Sequence, residues 1–434
     1  MKKISGEKLI HELDLKDLIP DTNVEFCCCI HKIKDMGSFS FIMLRTGKYV
    51  LQSVYEEKNC PSLPKNLCEG AYVKVNGTVR SEKRAANGIE IMLTAVSVLS
   101  VPKQSYPLHV NAKKLDCSIE TSMAHRSVAL RHPHERAVFK ISEGVVSGFR
   151  EFMLKEGFTE IHSPKIVASG AEGGANIFKL KYFGRDAFLA QSPQFYKQTC
   201  VAFFDRVFEI APVYRAEEHN STRHLNEYIG LDFEMAYISD MSDVMQMETA
   251  AIKYIVDYLK NNYDYELSLL DAQLPEITEI PSLTFFEALD CLGKEHNQFD
   301  LDPTDEVRLC EYAKEKYDSE FIFITKFPAA KRPFYAMNSP EDEKLAESFD
   351  LLFRGLEITT GGQRIHDYDT QIKKLEKYGI EPDDLGAYTD IHKYGMPPHG
   401  GLGIGLERLV MKLLNLQNIR QASLFPRDIH HLDP

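Results

Sequence analysis

The sequence lacks any apolar run close to the roughly 18 residues that are needed to span a bilayer. Its first eight residues include basic side chains, but no apolar segment follows them, so no secretory signal is predicted. Both absences argue against a membrane or secreted protein. We therefore expect a cytoplasmic protein with no membrane partner.

Paired cysteine motifs are absent as well. None of the nine cysteines forms a C-x-x-C pair. Cys27 to Cys29 lie in a strand-like run whose side chains alternate between two faces, so their thiols cannot converge on one metal ion. We expect reduced, buried thiols. The sequence also has no internal repeat and no low-complexity tract, and its 44% apolar and 26% charged residues are typical of a globular protein.

A positive net charge is also missing. The value of −13 argues at first against a nucleic-acid partner. The charge is uneven, however, because residues 1–110 carry a small excess of Lys and Arg over Asp and Glu, whereas the rest of the chain is strongly acidic. Contact with RNA through local patches therefore stays open, and the total charge alone decides nothing.

Short β-rich segments separated by turn signals dominate the first hundred residues. They are Glu25–Ile33, Phe39–Arg45, Tyr49–Val54, Ala71–Val79 and Glu90–Leu99. Such strands without a long helix predict a small closed barrel of the OB type, and these barrels commonly bind single-stranded nucleic acid on exposed aromatic rings. Phe39 and Phe41 alternate on one strand, and from that strand alone we expect both in the core.

The rest of the chain predicts an α+β domain. An amphipathic helix is expected over residues 133–156, followed by strands at 158–161, 188–189, 206–213 and 230–237 with helices between them. This pattern favours a mostly antiparallel sheet flanked by helices. We expect an N-terminal barrel over residues 1–102, a linker over 103–133 and a second domain over 134–434, in which 275–345 is a small insertion.

Two arginines stand at the ends of predicted elements. Arg215 ends a strand, and Arg408 opens a helix directly after a glycine-rich stretch, Gly400 to Gly405. A guanidinium stays charged and meets phosphate oxygens as a fork, and bare backbone lets a flat ring lie on it, so the pair predicts a site for a bent nucleoside triphosphate. The alternative is that both arginines form structural ion pairs. A dinucleotide-binding fold fails, because no βαβ unit follows the glycines.

Longer stretches around these arginines resemble the three motifs of class II aminoacyl-tRNA synthetases. The helix and strand before Pro164 resemble the first motif, Arg215-Ala216-Glu217 with Gly230-Leu231-Asp232-Phe233-Glu234 the second, and Gly403-Ile404-Gly405-Leu406-Glu407-Arg408 the third. The stretches Gln191–Gln198, Gly361–Asp367, Tyr394–Gly401 and Leu424–Asp428 narrow the resemblance to aspartyl-tRNA synthetases (subclass IIb) of the archaeal and eukaryotic cytoplasmic type. The resemblance covers nearly the whole chain and implies a ligase that activates L-aspartate with ATP and transfers it to the 3′ end of the aspartate tRNA.

The resemblance also implies the residues that bind ATP and Mg²⁺. Arg215 would hold the α-phosphate and the attacking carboxylate, and Arg408 the γ-phosphate, with Glu357 as the third catalytic group. Further implied ATP contacts are Ala216, Glu217, Arg223, His224, Leu225, Tyr228, Gly405, Leu406 and Glu407, with Tyr228 stacking on the base. Asp350 and Glu357, expected on one element, would bind Mg²⁺ together with Thr360. The alternative for the two acids is a solvated helix face.

For aspartate, the resemblance places Lys197 and Arg364 on the β-carboxylate of the substrate, with Arg364 as the bidentate partner. Gln194 and Asp232 suit the α-ammonium group, and Glu172 would close over it from a mobile loop. Arg215 and Thr360 complete the implied aspartate site. Ala171 stands where relatives usually carry Ser or Thr.

In the predicted barrel, Phe41 and Gln52 match family positions that contact anticodon bases. Val101 stands where an acidic residue often follows the last strand of the barrel. The resemblance further implies a homodimer formed around Pro164. Its implied partners are thus L-aspartate, ATP, the aspartate tRNA and a second copy of the chain.

Three alternatives stay open. An enzyme that also charges the asparagine tRNA is compatible with Val101, because the two anticodons differ at the third base. An asparaginyl-tRNA synthetase is disfavoured by Lys197, since a lysine suits a carboxylate better than an amide. A non-catalytic RNA-binding paralogue is disfavoured by the presence of Arg215, Glu357 and Arg408 together.

Overall fold

The structure is a computed structural model that describes residues 15–61, 63–170 and 176–432. The chain divides into two compact units, Met1–Arg136 and Ala137–Pro434. Residues 103–133, expected to be a linker, belong to the first unit. They include two short helices that the sequence did not predict, α1 (Ile119–Ala124) and α2 (Arg126–Ala129).

The first unit is built on a closed β-barrel. Its strands are β1 (Asn23–Asp35), β2 (Ser40–Arg45), β3 (Val50–Tyr55), β4 (Tyr72–Ser81) and β5 (Ile89–Ser100). They follow the order β1-β2-β3-β5-β4, and β4 closes the barrel by pairing with β1. Strands β3 and β5 pair in parallel, and the other neighbours pair antiparallel. The predicted OB-like barrel is confirmed.

The expectation that Phe39 and Phe41 lie in the core is wrong. Ile42 and Leu44 of β2 are fully buried inside the barrel, and strand alternation therefore places Phe41 on the outer face. Both phenylalanines are half-buried, and their rings meet edge to face with centroids 5.1 Å apart. The outer face of the barrel thus presents an aromatic pair.

The second unit is an α+β domain. Its strands are β6 (Thr159–Glu160), β7 (Ile166–Val167), β8 (Lys179–Tyr182), β9 (Arg185–Leu189), β10 (Arg206–Tyr214), β11 (Glu227–Ala236), β12 (Ser282–Thr284), β13 (Phe321–Thr325), β14 (Ser348–Phe353), β15 (Leu356–Gln363) and β16 (His399–Gly405). The helices are α3 (Pro133–Lys155, which starts in the first unit), α4 (Gln194–Phe204), α5 (Met241–Asn262), α6 (Asp264–Leu269), α7 (Phe285–Leu292), α8 (Pro303–Tyr317), α9 (Tyr368–Lys377), α10 (Gly386–Lys393) and α11 (Leu406–Leu413). Short 3-10 turns occur at Leu15–Asp17, Ala329–Lys331, Pro382–Leu385 and Ile419–Ala422.

The main sheet of this unit has eight strands in the order β12-β13-β14-β15-β16-β11-β10-β6. Only the end pairs β12–β13 and β10–β6 are parallel, so the predicted, mostly antiparallel sheet is confirmed. A smaller sheet has the order β7-β9-β8. Residues 275–345, expected to be a small insertion, supply β12 and β13 and therefore extend the main sheet. Ile322 and Ile324 of β13 are fully buried against helices α7 and α8, which explains this integration.

One face of the main sheet packs on helices α3 and α5. Ile141, Val145 and Phe149 of α3 share a single core with Ile252 and Ile255 of α5. Gly144 lets the two helices approach closely, because a Cβ there would lie 2.6 Å from Leu259 of α5. The opposite face of the sheet carries polar side chains and forms the candidate site.

Within the described ranges, none of the helices is both long and apolar enough to cross a membrane. All nine cysteines are free. Cys27 and Cys291 are exposed, so the expectation of buried thiols is wrong for these two positions.

Candidate active site

A cavity of about 870 Å³ opens on the polar face of the main sheet. Its walls include residues of α4, β11, β15, β16 and α11, together with the loop between β10 and β11. The predicted site residues that line it are Gln194, Lys197, Arg215, Glu217, Arg223, His224, Leu225, Tyr228, Asp232, Glu357, Thr360, Arg364, Gly405, Glu407 and Arg408. Residues assigned separately to ATP and to aspartate therefore share one cavity.

Several other predicted residues do not line this cavity. Leu406 is buried in the core that α3 and α5 share, and Ala216 donates its backbone N–H to the Asn176 carbonyl at 3.1 Å. Ala171 and Glu172 lie outside the described residues. Asp350 does not line the cavity, although its ion-pair partner Arg332 does.

A cluster of opposite charges forms one end of the cavity. Lys197 of α4 donates to Asp232 Oδ1 at 3.0 Å and to the Leu402 carbonyl at 2.8 Å. Its Nζ also lies 3.4 Å from Glu234 Oε2. Arg364 donates through Nε to Glu234 Oε1 at 2.8 Å and through Nη2 to the Gly401 carbonyl at 2.8 Å. The two cations predicted for the substrate carboxylate are therefore neighbours.

Glu234 is a site residue that our sequence analysis missed. It is fully buried and contacts both Lys197 and Arg364. The signal was present, because Asp232 and Glu234 are two residues apart on β11 and must share a face. Their neighbours Leu231 and Phe233 face the apolar core.

The pKa values of the two buried acids are shifted in opposite directions. Burial raises the pKa of Asp232 by more than Lys197 lowers it. Burial also acts to raise the pKa of Glu234, but Arg364 and Lys197 together hold it below its ordinary value. Arg364 and Lys197 therefore favour the ionised form of Glu234. Because the cluster is buried, its electrostatic interactions are weakly screened.

Gln194 has an unused donor on the wall of the cavity. Its Nε2 is fully buried and has no hydrogen-bond partner among the residues that the structure describes. A buried donor without a partner costs free energy, and a bound molecule that accepts its hydrogen bond would remove that cost. This geometry favours a polar ligand at this end of the cavity.

A buried polar network holds α4, and with it Lys197, against β16. Gln198 Nε2 lies 2.9 Å from His399 Nε2, and Gln198 Oε1 accepts from the Tyr388 hydroxyl at 3.3 Å. Burial lowers the pKa of His399 to about 4, so the imidazole is neutral near pH 7. His399 Nε2 therefore accepts from Gln198, and Nδ1 donates to the Pro397 carbonyl at 2.9 Å.

Arg408 and Glu357 meet at the other end of the cavity. Arg408 Nη1 donates to the Glu357 carbonyl at 2.9 Å and lies 3.6 Å from Glu357 Oε2. The Thr360 hydroxyl donates to Glu357 Oε1 at 2.9 Å. Burial acts to raise the pKa of Glu357, but Arg408, Thr360 and Arg332 together hold it below its ordinary value. Glu357 is therefore an ionised carboxylate on the cavity wall.

The prediction that Asp350 and Glu357 lie on one element is wrong. Asp350 lies on β14 and Glu357 on the neighbouring antiparallel strand β15, where Asp350 pairs with Thr360. Both Asp350 oxygens accept from Arg332, at 3.0 and 2.8 Å. Burial raises the pKa of Asp350 to about 6 against the opposing effect of Arg332.

This arrangement bears on the predicted Mg²⁺ site. The described residues contain no group of three or more His, Cys, Asp or Glu side chains that could hold a metal ion. Mg²⁺ is usually bound by one or two carboxylates together with substrate phosphates and water. Glu357 fits that donor set. Asp350 pairs with Arg332, and its role at Mg²⁺ stays a prediction.

The loop between β10 and β11 carries the second motif. Arg215 donates its backbone N–H to the Asn226 carbonyl at 2.8 Å, and Asn226 Nδ2 donates to the Arg215 carbonyl at 2.7 Å. Ser221 Oγ lies 2.6 Å from His224 Nδ1. Burial, reinforced by Arg408, lowers the pKa of His224 to about 4. This loop thus places a neutral imidazole beside the arginines.

Two predicted ATP residues have protein partners of their own. Glu407 accepts the Ile229 backbone N–H at 3.1 Å, and burial raises the pKa of Glu407 to about 7. Arg223 Nη2 lies 2.6 Å from each carboxylate oxygen of Glu306 on α8. Glu306 was not predicted, because it belongs to the segment that the sequence presents as an insertion.

The other predicted positions lie elsewhere. In the barrel, Gln52 Nε2 donates to Glu90 Oε2 at 2.8 Å, and Arg80 also pairs with Glu90. Gln52 lies on β3, next to the strand that carries Phe41, and Val101 is exposed directly after β5. Pro164 is exposed between β6 and β7.

Comparison with known proteins shows the family to which the chain belongs. Residues 118–429 match the family described as "tRNA synthetases class II (D, K and N)". An aspartate–tRNA(Asp/Asn) ligase of Deinococcus radiodurans is 42% identical over 415 residues, covering 93% of this chain and 94% of that protein. An aspartate–tRNA(Asp) ligase of Pyrococcus abyssi is 39% identical over 416 residues, with coverage of 93% and 94%.

Among solved structures, asparaginyl-tRNA synthetase from Pyrococcus horikoshii complexed with asparaginyl-adenylate superposes with a TM-score of 0.90. It is 28% identical and covers 98% of this chain and 100% of that chain. The family match extends over most of the chain, and the sequence relatives extend over nearly all of it. The chain therefore belongs to the class II aminoacyl-tRNA synthetases, in the group that comprises the D, K and N enzymes.

Proposed function

We propose that the protein is an aspartate–tRNA ligase that uses ATP with Mg²⁺. The observation that carries this proposal is the buried cluster in which Lys197 and Arg364 flank Glu234, at one end of a cavity whose other end contains Arg408 and Glu357. A substrate with two carboxylates can then place its β-carboxylate on the cations and direct its α-carboxylate towards the nucleotide.

In the first step, an oxygen of the α-carboxylate attacks the α-phosphorus of ATP. The new bond is a mixed anhydride, aspartyl-adenylate, and the bond that breaks releases pyrophosphate. Both reactants are anions, so their repulsion must be offset. Arg215 suits the α-phosphate and the attacking carboxylate, and Arg408 suits the γ-phosphate. No side chain needs to act as a nucleophile, because orientation and electrostatics can supply the catalysis.

Mg²⁺, when bound, would neutralise phosphate charge, and we propose Glu357 as a side chain that would hold it. Tyr228 lines the cavity with a ring that can stack on the adenine. In the second step, a hydroxyl of the 3′-terminal ribose of the tRNA attacks the aspartyl carbonyl. An ester forms, AMP leaves, and the hydroxyl proton is released.

The charge cluster favours aspartate over asparagine as the amino acid. A β-carboxylate can pair with Lys197 and Arg364, whereas a neutral amide offers these two cations no opposite charge. The Nε2 of Gln194, which has no partner among the described residues, also provides a donor for a substrate oxygen. Gln194 and Asp232 are the residues that we propose for the α-amino end of the substrate.

Relatives of the chain are named for different sets of tRNA. The relative from D. radiodurans is named for both the aspartate and the asparagine tRNA, whereas that from P. abyssi is named for the aspartate tRNA alone. We propose that the barrel binds the anticodon through Phe41 and Gln52. The exposed, uncharged Val101 after β5 favours weak discrimination of the third anticodon base.

We further propose a cytoplasmic homodimer that forms around α3 and Pro164. Leu154 at the end of α3 and Ile166 beside Pro164 are large apolar side chains that are about half exposed in the single chain. Contact with a second copy would remove them from water.

The test is charging of purified aspartate and asparagine tRNAs with radiolabelled aspartate. We expect the aspartate tRNA to be charged, with asparagine unable to replace the amino acid. Charging of both tRNAs with aspartate would identify the broader enzyme. Failure to charge either tRNA, with freshly prepared protein and Mg-ATP, would contradict the proposal.

A further inference from the structure

Glu306 lies on α8, in the segment of residues 275–345 that the sequence presents as a small insertion. Its side chain is only 8% exposed. It does not line the cavity, but it contacts two residues that do, Arg223 and Glu357.

The contacts of Glu306 are short and involve both carboxylate oxygens. Each oxygen lies 2.6 Å from Arg223 Nη2, and Oε2 also accepts the backbone N–H of Glu357 at 2.8 Å. Hydrogen bonds between charged partners at such distances are among the stronger ones in proteins. A single carboxylate therefore links the loop of the second motif to the start of β15.

The peptide groups of Glu357 are consequently held from two sides. Glu306 accepts from the Glu357 N–H, and Arg408 donates to the Glu357 carbonyl at 2.9 Å. This double restraint fixes the backbone from which the Glu357 carboxylate projects. Arg223 is restrained by the same group, and a long arginine side chain would otherwise have many rotamers.

We propose that Glu306 is a positioning residue for the ATP half of the site, which holds Arg223 and Glu357 in fixed relation to each other. The inference rests on the proposed function, because it takes Glu357 as a residue that would hold Mg²⁺ and Arg223 as the ATP contact that the family resemblance implies. Glu306 itself touches neither substrate. The segment 275–345 then contributes to nucleotide binding as well as to the sheet.

The principal test is Glu306→Gln, assayed by aspartate-dependent ATP–pyrophosphate exchange. The amide keeps the shape and an acceptor for the Glu357 N–H but loses the charge that holds Arg223. We expect KM for ATP and the Mg²⁺ concentration for half-maximal rate to rise about tenfold, the usual order for residues that orient a ligand-binding group. KM for aspartate should not change. Glu311→Gln, at an exposed position on the same helix, is the matched control and should behave as the unmodified protein.

A merely structural role would give a different result. It would lower the midpoint of thermal unfolding and shift both KM values together, and that outcome would overturn the inference. Unchanged KM for ATP in a folded Glu306→Gln variant would overturn it too.

A second set of variants tests the same link through Arg223. Arg223→Met should raise KM for ATP, and the double variant Arg223→Met/Glu306→Gln should be little worse than Arg223→Met, because Glu306 acts partly through Arg223. Fully additive losses would contradict this coupling. An unmodified protein without any exchange would instead refute the proposed function, so the two failures can be told apart.

Discussion

At the scale of single residues, the candidate site combines buried acids and cations on one face of a sheet. The sequence allowed Lys197 and Arg364 to be predicted because they lie in stretches that resemble a known family. The sequence did not reveal that Glu234 forms ion pairs with both of these cations. Such pairing depends on which strands become neighbours, and no local pattern records that.

Glu248 on α5 provides a residue-scale prediction about pH. It is fully buried, and burial raises the pKa of Glu248 from 4.5 to about 8, by more than Thr359 lowers it. A folded-state pKa above the unfolded value contributes stability at low pH that is lost as the pH rises from about 4.5 to about 8. The side chain of the Glu248→Gln variant is neutral at every pH, so this variant should not lose stability in this way. Relative to the unmodified protein, it should gain about 3 kcal/mol in unfolding free energy between pH 5 and pH 8.

The measurement is urea unfolding of both proteins at pH 5, 6.5 and 8. Asp257→Asn, at an exposed position on α5, is the control and should follow the unmodified protein at each pH. A constant difference between Glu248→Gln and the unmodified protein at all three values would show that Glu248 is ionised in the folded state.

At the scale of elements, strand β16 shows how glycine shapes the cavity. A Cβ at Gly401 would overlap Glu234 Oε2 and the Phe233 carbonyl, whereas a Cβ at Gly405 would have its nearest contact with Arg408 Cβ at 3.7 Å. The two glycines therefore have different roles on the same strand. Gly401 allows β16 to pass the charge cluster, and Gly405 leaves open surface on the cavity wall.

Gly401→Ala should destabilise the protein by about 3 kcal/mol and weaken aspartate activation, because Glu234 must move. Gly405→Ala, the matched variant, should keep its stability and raise KM for ATP if the adenine lies on this backbone. Thermal unfolding and exchange kinetics measure both effects. Equal stability of the two variants would contradict the packing argument at Gly401.

The success of sequence-based prediction also varied between elements. The five barrel strands and α3 were predicted well, because their alternation and helical periodicity are local signals. The relation of Asp350 to Glu357 was mistaken, since their spacing suits a helix as well as it suits two strands joined by a tight turn. The turn at Arg354 and Gly355, where both residues have positive φ, could have indicated the hairpin.

At the scale of the whole molecule, the barrel and the second unit carry separate parts of the proposed function. The outer face of the barrel presents Phe41 and Gln52 on adjacent strands. The cavity lies entirely in the second unit. Loss of an anticodon contact should therefore affect tRNA charging and leave adenylate formation intact.

Gln52→Ala removes one side chain from the outer face of the barrel, while Glu90 keeps its Arg80 partner. We expect kcat/KM for charging of the aspartate tRNA to fall about tenfold, as for the loss of one specific base contact. Aspartate-dependent exchange without tRNA should not change. Gln104→Ala, at an exposed position of the first unit, is the control. Equal losses in exchange and charging would rule out the anticodon assignment.

The most direct measurement is ATP–pyrophosphate exchange with aspartate, with asparagine and with neither, in the unmodified protein and in Lys197→Met. Lys197 donates to Asp232 and lies beside Glu234 in the cavity. Its loss should therefore lower the rate of aspartate-dependent exchange by about a hundredfold or more. ATP binding should stay largely intact, and Lys393→Met, at an exposed position, should have no effect. We predict exchange with aspartate alone in the unmodified protein. Exchange with asparagine alone, exchange with neither amino acid, or full activity of Lys197→Met would contradict an aspartate-specific ligase built on this cluster.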